Sequence, residues 1–247
     1  MKPQAAAGEF LLVPGALALP GGFLLLERSR TLVAADVHLA YEDVIGGALP
    51  LWSTNEGVML LEAAVSKTRA GELVLLGDVI HGTRMSEGAA RAVAGALARL
   101  RASCTVTLVA GNHEGKTRGA AVLGATHEVL ERDGWTLVHG DRPSGAQRTI
   151  IGHLHPSLPV GATARVPAFL ACDHLIVVPA LTPYSEGLSV LSRDCTDALA
   201  PFCADPGRCV VVASAPERVY PFGSLDALRP MLRSKPAVRY PRRSRAR

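Results

Sequence analysis

Eight polar residues sit in five short motifs whose composition points to one kind of chemistry. The motifs are Asp36-Val37-His38, Gly77-Asp78, Gly111-Asn112-His113, His139-Gly140 and Gly152-His153-Leu154-His155. In the first and the last, two ligand-type side chains flank one apolar residue. The two-residue period of an extended chain puts such a pair on one side, so a short segment can offer a cation two ligands. The donors are carboxylates, one amide oxygen and imidazoles, with no thiolate among them. That mixture suits Mn²⁺, Fe²⁺ or Zn²⁺ better than a sulfur-loving site. About seven candidate ligands are too many for one ion and fit two ions sharing a carboxylate. A pair of ions about 3.5–4 Å apart can clamp a phosphoryl group and generate a hydroxide nucleophile.

The elements that must hold these motifs are legible as apolar runs. Strands are expected over 31–35, 72–76, 105–110, 135–138 and 148–152, and each stops at one of the polar motifs. Ligands collect at the carboxyl ends of strands when strands alternate with helices. Upstream, residues 10–13, 16–19 and 23–27 are separated by Pro14-Gly15 and Pro20-Gly21-Gly22, the punctuation of an antiparallel meander. Helical spacing predicts one helix from Asn55 to Arg69, capped by Ser53 or Thr54 with Glu56 in its first turn, and another from Ser86 to Arg101. Further strands are expected near 174–178, 188–192, 208–213 and 217–221. Residues 193–207 read as a long loop, and 223–247 as a docking segment and tail.

Taken together and in this order, the motifs resemble the DxH, GD, GNH[DE], H and GHxH pattern of the calcineurin-like metallophosphoesterases, over residues 31–155. The resemblance implies a single α/β domain, a four-layer α/β/β/α sandwich of two mixed sheets flanked by helices. It also implies roles. Asp36, His38 and His155 hold one ion, Asn112, His139 and His153 hold the other, and Asp78 bridges them. His113 is no ligand but protonates the leaving oxygen or stabilises transition-state charge, and Asp36 also orients the attacking water. A hydroxide between the two ions attacks phosphorus directly. More narrowly, Ala35-Asp36-Val37-His38-Leu39 and Gly77-Asp78-Val79-Ile80-His81 look like the ligase-associated DNA damage response endonucleases, also called ICC-like phosphoesterases, and Phe169 to Leu191 loosely looks like that branch's closing sheet. Similarity to that branch implies Mn²⁺-dependent phosphodiester cleavage, DNA as candidate substrate, and association with a helicase and a DNA ligase. One departure stands out. Ala40-Tyr41-Glu42-Asp43 follows the first motif where the branch often carries a basic residue, and acids beside a cleft repel a polyanion.

Other readings remain beside this one: a hydrolase of small phosphodiesters or phosphomonoesters, and a non-catalytic metal-binding scaffold. His81 is a candidate support for a ligand or a substrate contact, and Arg84, Lys116 and Arg118 are candidate phosphate contacts. Glu114 is expected to support the site, Tyr184 and Trp52 to pack or to stack on a base, and His127 and His174 to be structural or surface residues.

Composition sets the outer limits. The 247 residues suffice for one sizeable domain, taken as 1–230, with a basic tail over 231–247. At 48% hydrophobic and 4% aromatic residues, the core must come from Val, Leu and Ala. A net charge of +4 neither demands nor excludes a polyanionic partner. Five cysteines, an odd number without a CxxC pair, fit reduced thiols, although Cys195, Cys203 and Cys209 lie close enough in sequence for a disulfide or a metal contact. Glu9 and Pro14 interrupt what would otherwise resemble a leader segment, and no run of about twenty apolar residues could span a membrane. A cytoplasmic protein is therefore expected.

Overall fold

The computed structural model describes residues 8–46, 51–82, 85–113, 120–161, 163–182 and 184–233. The first sheet opens with the expected meander, β1 (Phe10–Val13), β2 (Ala16–Ala18) and β3 (Leu24–Leu26), which runs antiparallel into β4 (Thr31–Ala35). The short α1 (Tyr41–Ile45) and the long α2 (Trp52–Thr68) then carry the chain to β5 (Glu72–Leu76), and α3 (Glu87–Ser103) carries it to β6 (Thr105–Val109). The strands β4, β5 and β6 are parallel and in register, pairing Ala35 with Leu76 and Leu76 with Val109.

The second sheet is larger and mixed. It contains β7 (Leu130–Arg132), β8 (Trp135–Leu137), β9 (Thr149–Ile151), β10 (Pro156–Val160), β11 (Ala164–Cys172), β12 (Leu175–Val177), β13 (Leu188–Ser189), β14 (Val210–Ser214) and β15 (Val219–Ser224). Within it β8, β9 and β12 are parallel neighbours, and β11 pairs with β10, β12 and β14. Residues 193–207, expected as loop, hold α4 (Arg193–Leu199) and a short 3₁₀ turn, and α5 (Leu225–Arg233) begins the docking segment. The tail, expected over 231–247, starts later than that, because residues 231–233 complete α5, and residues 234–247 lie outside the described residues.

Alternation along the strands builds the layers. Leu32 and Ala34 of β4, and Leu73 and Leu75 of β5, face one apolar cluster with Val58, Leu61, Val93 and Leu97 of α2 and α3. Their neighbours Val33, Ala35, Val74 and Leu76 face the opposite way, onto Ile150, Phe169, Ile176 and Val212 of the second sheet. The other side of that sheet, with Leu170, Val177 and Val211, packs on Leu199 of α4 and Leu225 and Leu228 of α5. Two mixed sheets therefore face each other with helices outside, as expected.

One helix start differs from expectation. The α2 helix begins after Leu51 with no side-chain cap, and Thr54 Oγ1 instead accepts the Ala40 N–H at 2.8 Å. The α3 start follows the ordinary rule, with Ser86 Oγ accepting the Ala89 N–H.

A polar knot ties the sheets together at the amino ends of β4 and β5. Glu72 accepts a two-pronged contact from Arg132 of β7, at 2.7 and 2.8 Å, and hydroxyl bonds from Thr31 and Thr107. Burial opposes ionisation of Glu72, but these donors outweigh it and hold the carboxyl below its ordinary value.

Phe169, fully buried between the sheets, tests this packing. Phe169→Ala should lower unfolding free energy by about 3–5 kcal/mol, read from urea denaturation. A loss under about 1 kcal/mol would mean the layer repacks around the gap.

Candidate metal centre

In-register parallel pairing ends β4, β5 and β6 at one level, so Asp36, Asp78 and the Asn112-His113 loop leave the first sheet side by side. His139 follows β8, and His153 and His155 follow β9, from the facing sheet. A bridge between Ala35 and Ala180, with the Leu181 N–H donating to the Ala35 carbonyl, ties the two sheets at this edge. All five motifs thus meet where the strands end.

Two groups of ligand atoms result, each lying within 4.8 Å: Asp36, His38 and His155, and Asp78, His139 and His153. Asn112 joins the second, its Oδ1 lying 2.7 Å from His139 Nε2. The same Nε2 is 3.0 Å from His153 Nδ1 and 3.4 Å from Asp78 Oδ2. Four donor atoms converge here, yet one imidazole nitrogen carries at most one proton to share among them. Adjacent ligands on an ion with bonds of about 2.1 Å stand about 3.0–3.4 Å apart, which the His153 and Asp78 separations match. Asp36 Oδ1 and His139 Nδ1 are buried without a hydrogen-bond partner among the described residues, and they lie 3.7 Å apart. Buried atoms of this kind need a partner, and a divalent cation suits a carboxylate beside neutral imidazoles. Both groups have the make-up and convergence of divalent-metal cages.

Each aspartate is held by one oxygen and leaves the other to the site. Asp36 Oδ2 accepts the His153 N–H at 2.8 Å, while its Oδ1 lies 3.4 Å from His155 Nε2. Asp78 Oδ1 accepts the His113 N–H at 2.9 Å, while its Oδ2 faces His139, with His113 Nε2 at 3.8 Å. The glycines of the motifs leave room for this. A methyl group at Gly111 would overlap Asp78, one at Gly77 would overlap His139, and one at Gly152 would overlap Asp36 and Ala35.

The reason paired residues share a cage differs from the expected one. Asp36, His38, Asp78, His153 and His155 all adopt positive φ, between 43° and 58°, so these segments are left-handed rather than extended. Such backbone costs about 1–3 kcal/mol per non-glycine residue and persists where the surroundings over-determine it. The ligand side chains come together through this coiled backbone, not through strand periodicity.

Burial favours the neutral form at His38, His81 and His153. Burial pushes His38 down to about 3, against the opposing pull of Asp36, and neighbouring imidazoles add to the drop. Burial and His139 lower His153, and burial and His113 lower His81. Neutral imidazole is the form that binds a cation.

His81 contacts a candidate ligand directly, its Nδ1 lying 2.9 Å from His38 Nδ1, and its ring stacks with His113. Ser185 Oγ lies 2.7 Å from His155 Nδ1 and plays the same orienting part on the other side, a residue that no spacing in the sequence marks. Tyr184 stacks on Tyr41 with ring centroids 4.3 Å apart, and both line a cavity of about 200 Å³ with His38, His81, His113 and His155. The acids that looked repulsive are engaged elsewhere. Glu42 is buried and accepts from Tyr184 Oη and Thr54 Oγ1, and Asp43 accepts the Ser86 N–H. His127 pairs through its backbone with Leu108 and Ala110, a structural role. Arg84, Glu114, Lys116, Arg118 and the Trp52 side chain lie outside the described residues.

This architecture, two facing mixed sheets with polar motifs at the strand ends, is shared with solved structures. The structure of nuclease MPE from Pseudomonas putida matches the chain with a TM-score of 0.62 at 22% identity, over 84% of this chain and 94% of that one. YfcE, a phosphoesterase from E. coli, matches with a TM-score of 0.42 at 18% identity, over 78% of this chain and 98% of that one. No protein-family model matches the chain, and no curated protein matches it in sequence. No helix among the described residues is long and apolar enough to cross a membrane.

Two outcomes follow from this geometry. Gly111→Ala should weaken Mn²⁺ binding at least about tenfold by calorimetry, because the added methyl displaces Asp78, whereas Gly95→Ala, with open space around it, should bind normally. The second concerns pH. His38 stays neutral in the fold to about pH 3 but titrates near 6.5 when unfolded. The unfolded chain therefore binds more protons below about pH 6.5, and stability should fall from there toward about pH 3. Denaturation midpoints of chelator-treated protein across that window test this, and a flat profile would contradict it.

Proposed function

We propose that the chain is a two-metal phosphoesterase that hydrolyses phosphodiester bonds, with Mn²⁺ as its ion and DNA as its candidate substrate. The observation that carries this reading is the convergence of two carboxylate and imidazole groups at one sandwich edge, around buried atoms without partners among the described residues. Asp36, His38 and His155 would hold one cation, Asn112, His139 and His153 the other, and Asp78 would be shared. When bound, the cations supply Lewis acidity to the phosphoryl oxygens and lower the pKa of a water nucleophile. Half-exposed His113 stands beside the cage, where it can give a proton to the leaving oxygen. His81 and Ser185 fix the imidazoles of His38 and His155. No serine or cysteine nucleophile accompanies the motifs, so direct displacement by water is the proposed reaction. The likeness to a nuclease fold supports a nucleic-acid substrate. A helicase and a ligase as partners rest on the sequence resemblance alone.

One observation favours a second reading, a small phosphodiester. The cavity beside the cage is only about 200 Å³, and the Tyr41–Tyr184 stack forms part of its wall.

Purified protein with Mn²⁺ should be given bis-p-nitrophenyl phosphate, p-nitrophenyl phosphate and plasmid DNA. The diester and the DNA should be cleaved, and His113→Ala should lower kcat about 100-fold or more with metal content unchanged. Diester cleavage without DNA cleavage would move the assignment to the small substrate. No turnover with any divalent ion would overturn the enzymatic reading.

A further inference from the structure

We propose that Cys172, Cys203 and Cys209 form a second, thiolate metal site that takes one Zn²⁺ ion, at the sandwich edge opposite the candidate metal centre. The three sulfurs lie within 4.8 Å of one another, and Cys172 Sγ is 3.6 Å from Cys203 Sγ. Tetrahedral thiolates on zinc, with bonds of about 2.3 Å, stand about 3.8 Å apart, whereas a disulfide would bring two of them to about 2.05 Å.

The fold, rather than sequence proximity, assembles the trio. Cys172 ends β11, and β14 pairs beside it, matching Ala171 to Val210, so Cys209 arrives next to Cys172. Between α4 and β14 the chain makes two tight turns, with the Cys203 N–H on the Leu199 carbonyl and the Cys209 N–H on the Pro206 carbonyl, which bring Cys203 to the same point. Cys195, which the sequence grouped with Cys203 and Cys209, turns into the apolar core under α4, where burial pushes its thiol up to about 11. Because β11 runs antiparallel to β12, pairing Cys172 with Leu175, the trio sits at the amino end of β12, away from the candidate centre.

Hydrogen-bond donors converge on the sulfurs. The Cys209 thiol and the backbone N–H groups of His174 and Leu175 point at the Cys172 sulfur. The Asp205 N–H points at Cys203. Backbone donors aimed at sulfur are the support that metal-bound cysteines use. A groove lined by Cys172, Cys203, His174, Asp205 and Arg208 opens beside the trio and gives access to the fourth coordination position. On binding, three S–H bonds break, three Zn–S bonds form, and the protons pass to solvent. Soft thiolates select zinc over the Mn²⁺ that the oxygen and imidazole cage accepts. The ion would staple the 193–209 excursion to the sheet.

Reduced full-length protein should be titrated with Co²⁺ as a spectroscopic stand-in. A sulfur-to-cobalt charge-transfer band is expected, abolished by one equivalent of Zn²⁺ and absent in Cys203→Ser and Cys209→Ser, both of which should still bind Mn²⁺. Alkylation mapping of the wild type guards against variants that fail to fold. Zn²⁺ should protect Cys172 and Cys203, a chelator should expose them, and Cys104 should react alike in both. No charge-transfer band in the wild type, alkylation indifferent to Zn²⁺, or a Cys172–Cys203 disulfide in freshly reduced protein would each overturn the proposal.

Discussion

Two backbone N–H groups organise the site. The His153 N–H ends on one oxygen of Asp36, and the His113 N–H ends on one oxygen of Asp78. Both carboxylates are buried at the ends of parallel strands, where water cannot compete. A buried carboxylate needs partners on every side, and here each has one oxygen satisfied by the loop of a later motif and turns the other toward the candidate cage. The same bond therefore seats the aspartate and positions the loop of a later motif. The Asp36–His153 bond also crosses from one sheet to the other and so depends on the apolar layer that holds the sheets face to face.

Strain is gathered at the same place. Left-handed backbone at five candidate ligands, and glycines that leave no room for a methyl, are unfavourable choices anywhere else in a chain. They are sustained because the strands on either side are deeply buried and in fixed register. Local preference is overruled at the cage and nearly everywhere obeyed in the layers below it.

How much of this could be read from the residues follows from the range of the forces involved. Strand ends carrying polar motifs were legible because apolar run and ligand are adjacent in the chain, as at Leu76-Gly77-Asp78. The partition of candidate ligands into two groups was an expectation drawn from the family resemblance that the ordered motifs carry, not from any residue's local pattern. Less visible were the strands β10 and β11, which hold Pro156, Pro159 and Pro167, residues that cannot donate to a ladder yet are accommodated at these positions in the sheet. Thr54 looked like a cap and became an acceptor for Ala40, a contact set by tertiary packing rather than by helix chemistry. Ser185 and the pairing of Tyr41 with Tyr184 depend on a loop arriving from the far sheet, which no local pattern encodes. The cysteine trio was misgrouped for a like reason, since strand pairing brings Cys172 in and a helix turns Cys195 away.

The knot around Glu72 has a consequence at the other end of the molecule. By bolting β7 to β4, β5 and β6 at their amino ends, it closes the sandwich without help from the strand-end residues. A cage carried on a scaffold secured elsewhere can be emptied and refilled while the fold persists. Cations would then exchange rather than be locked in at synthesis, and occupancy would track supply, because ligand sets of this kind discriminate weakly among first-row ions. Which ion fills such a cage is as much a property of the surroundings as of the polypeptide.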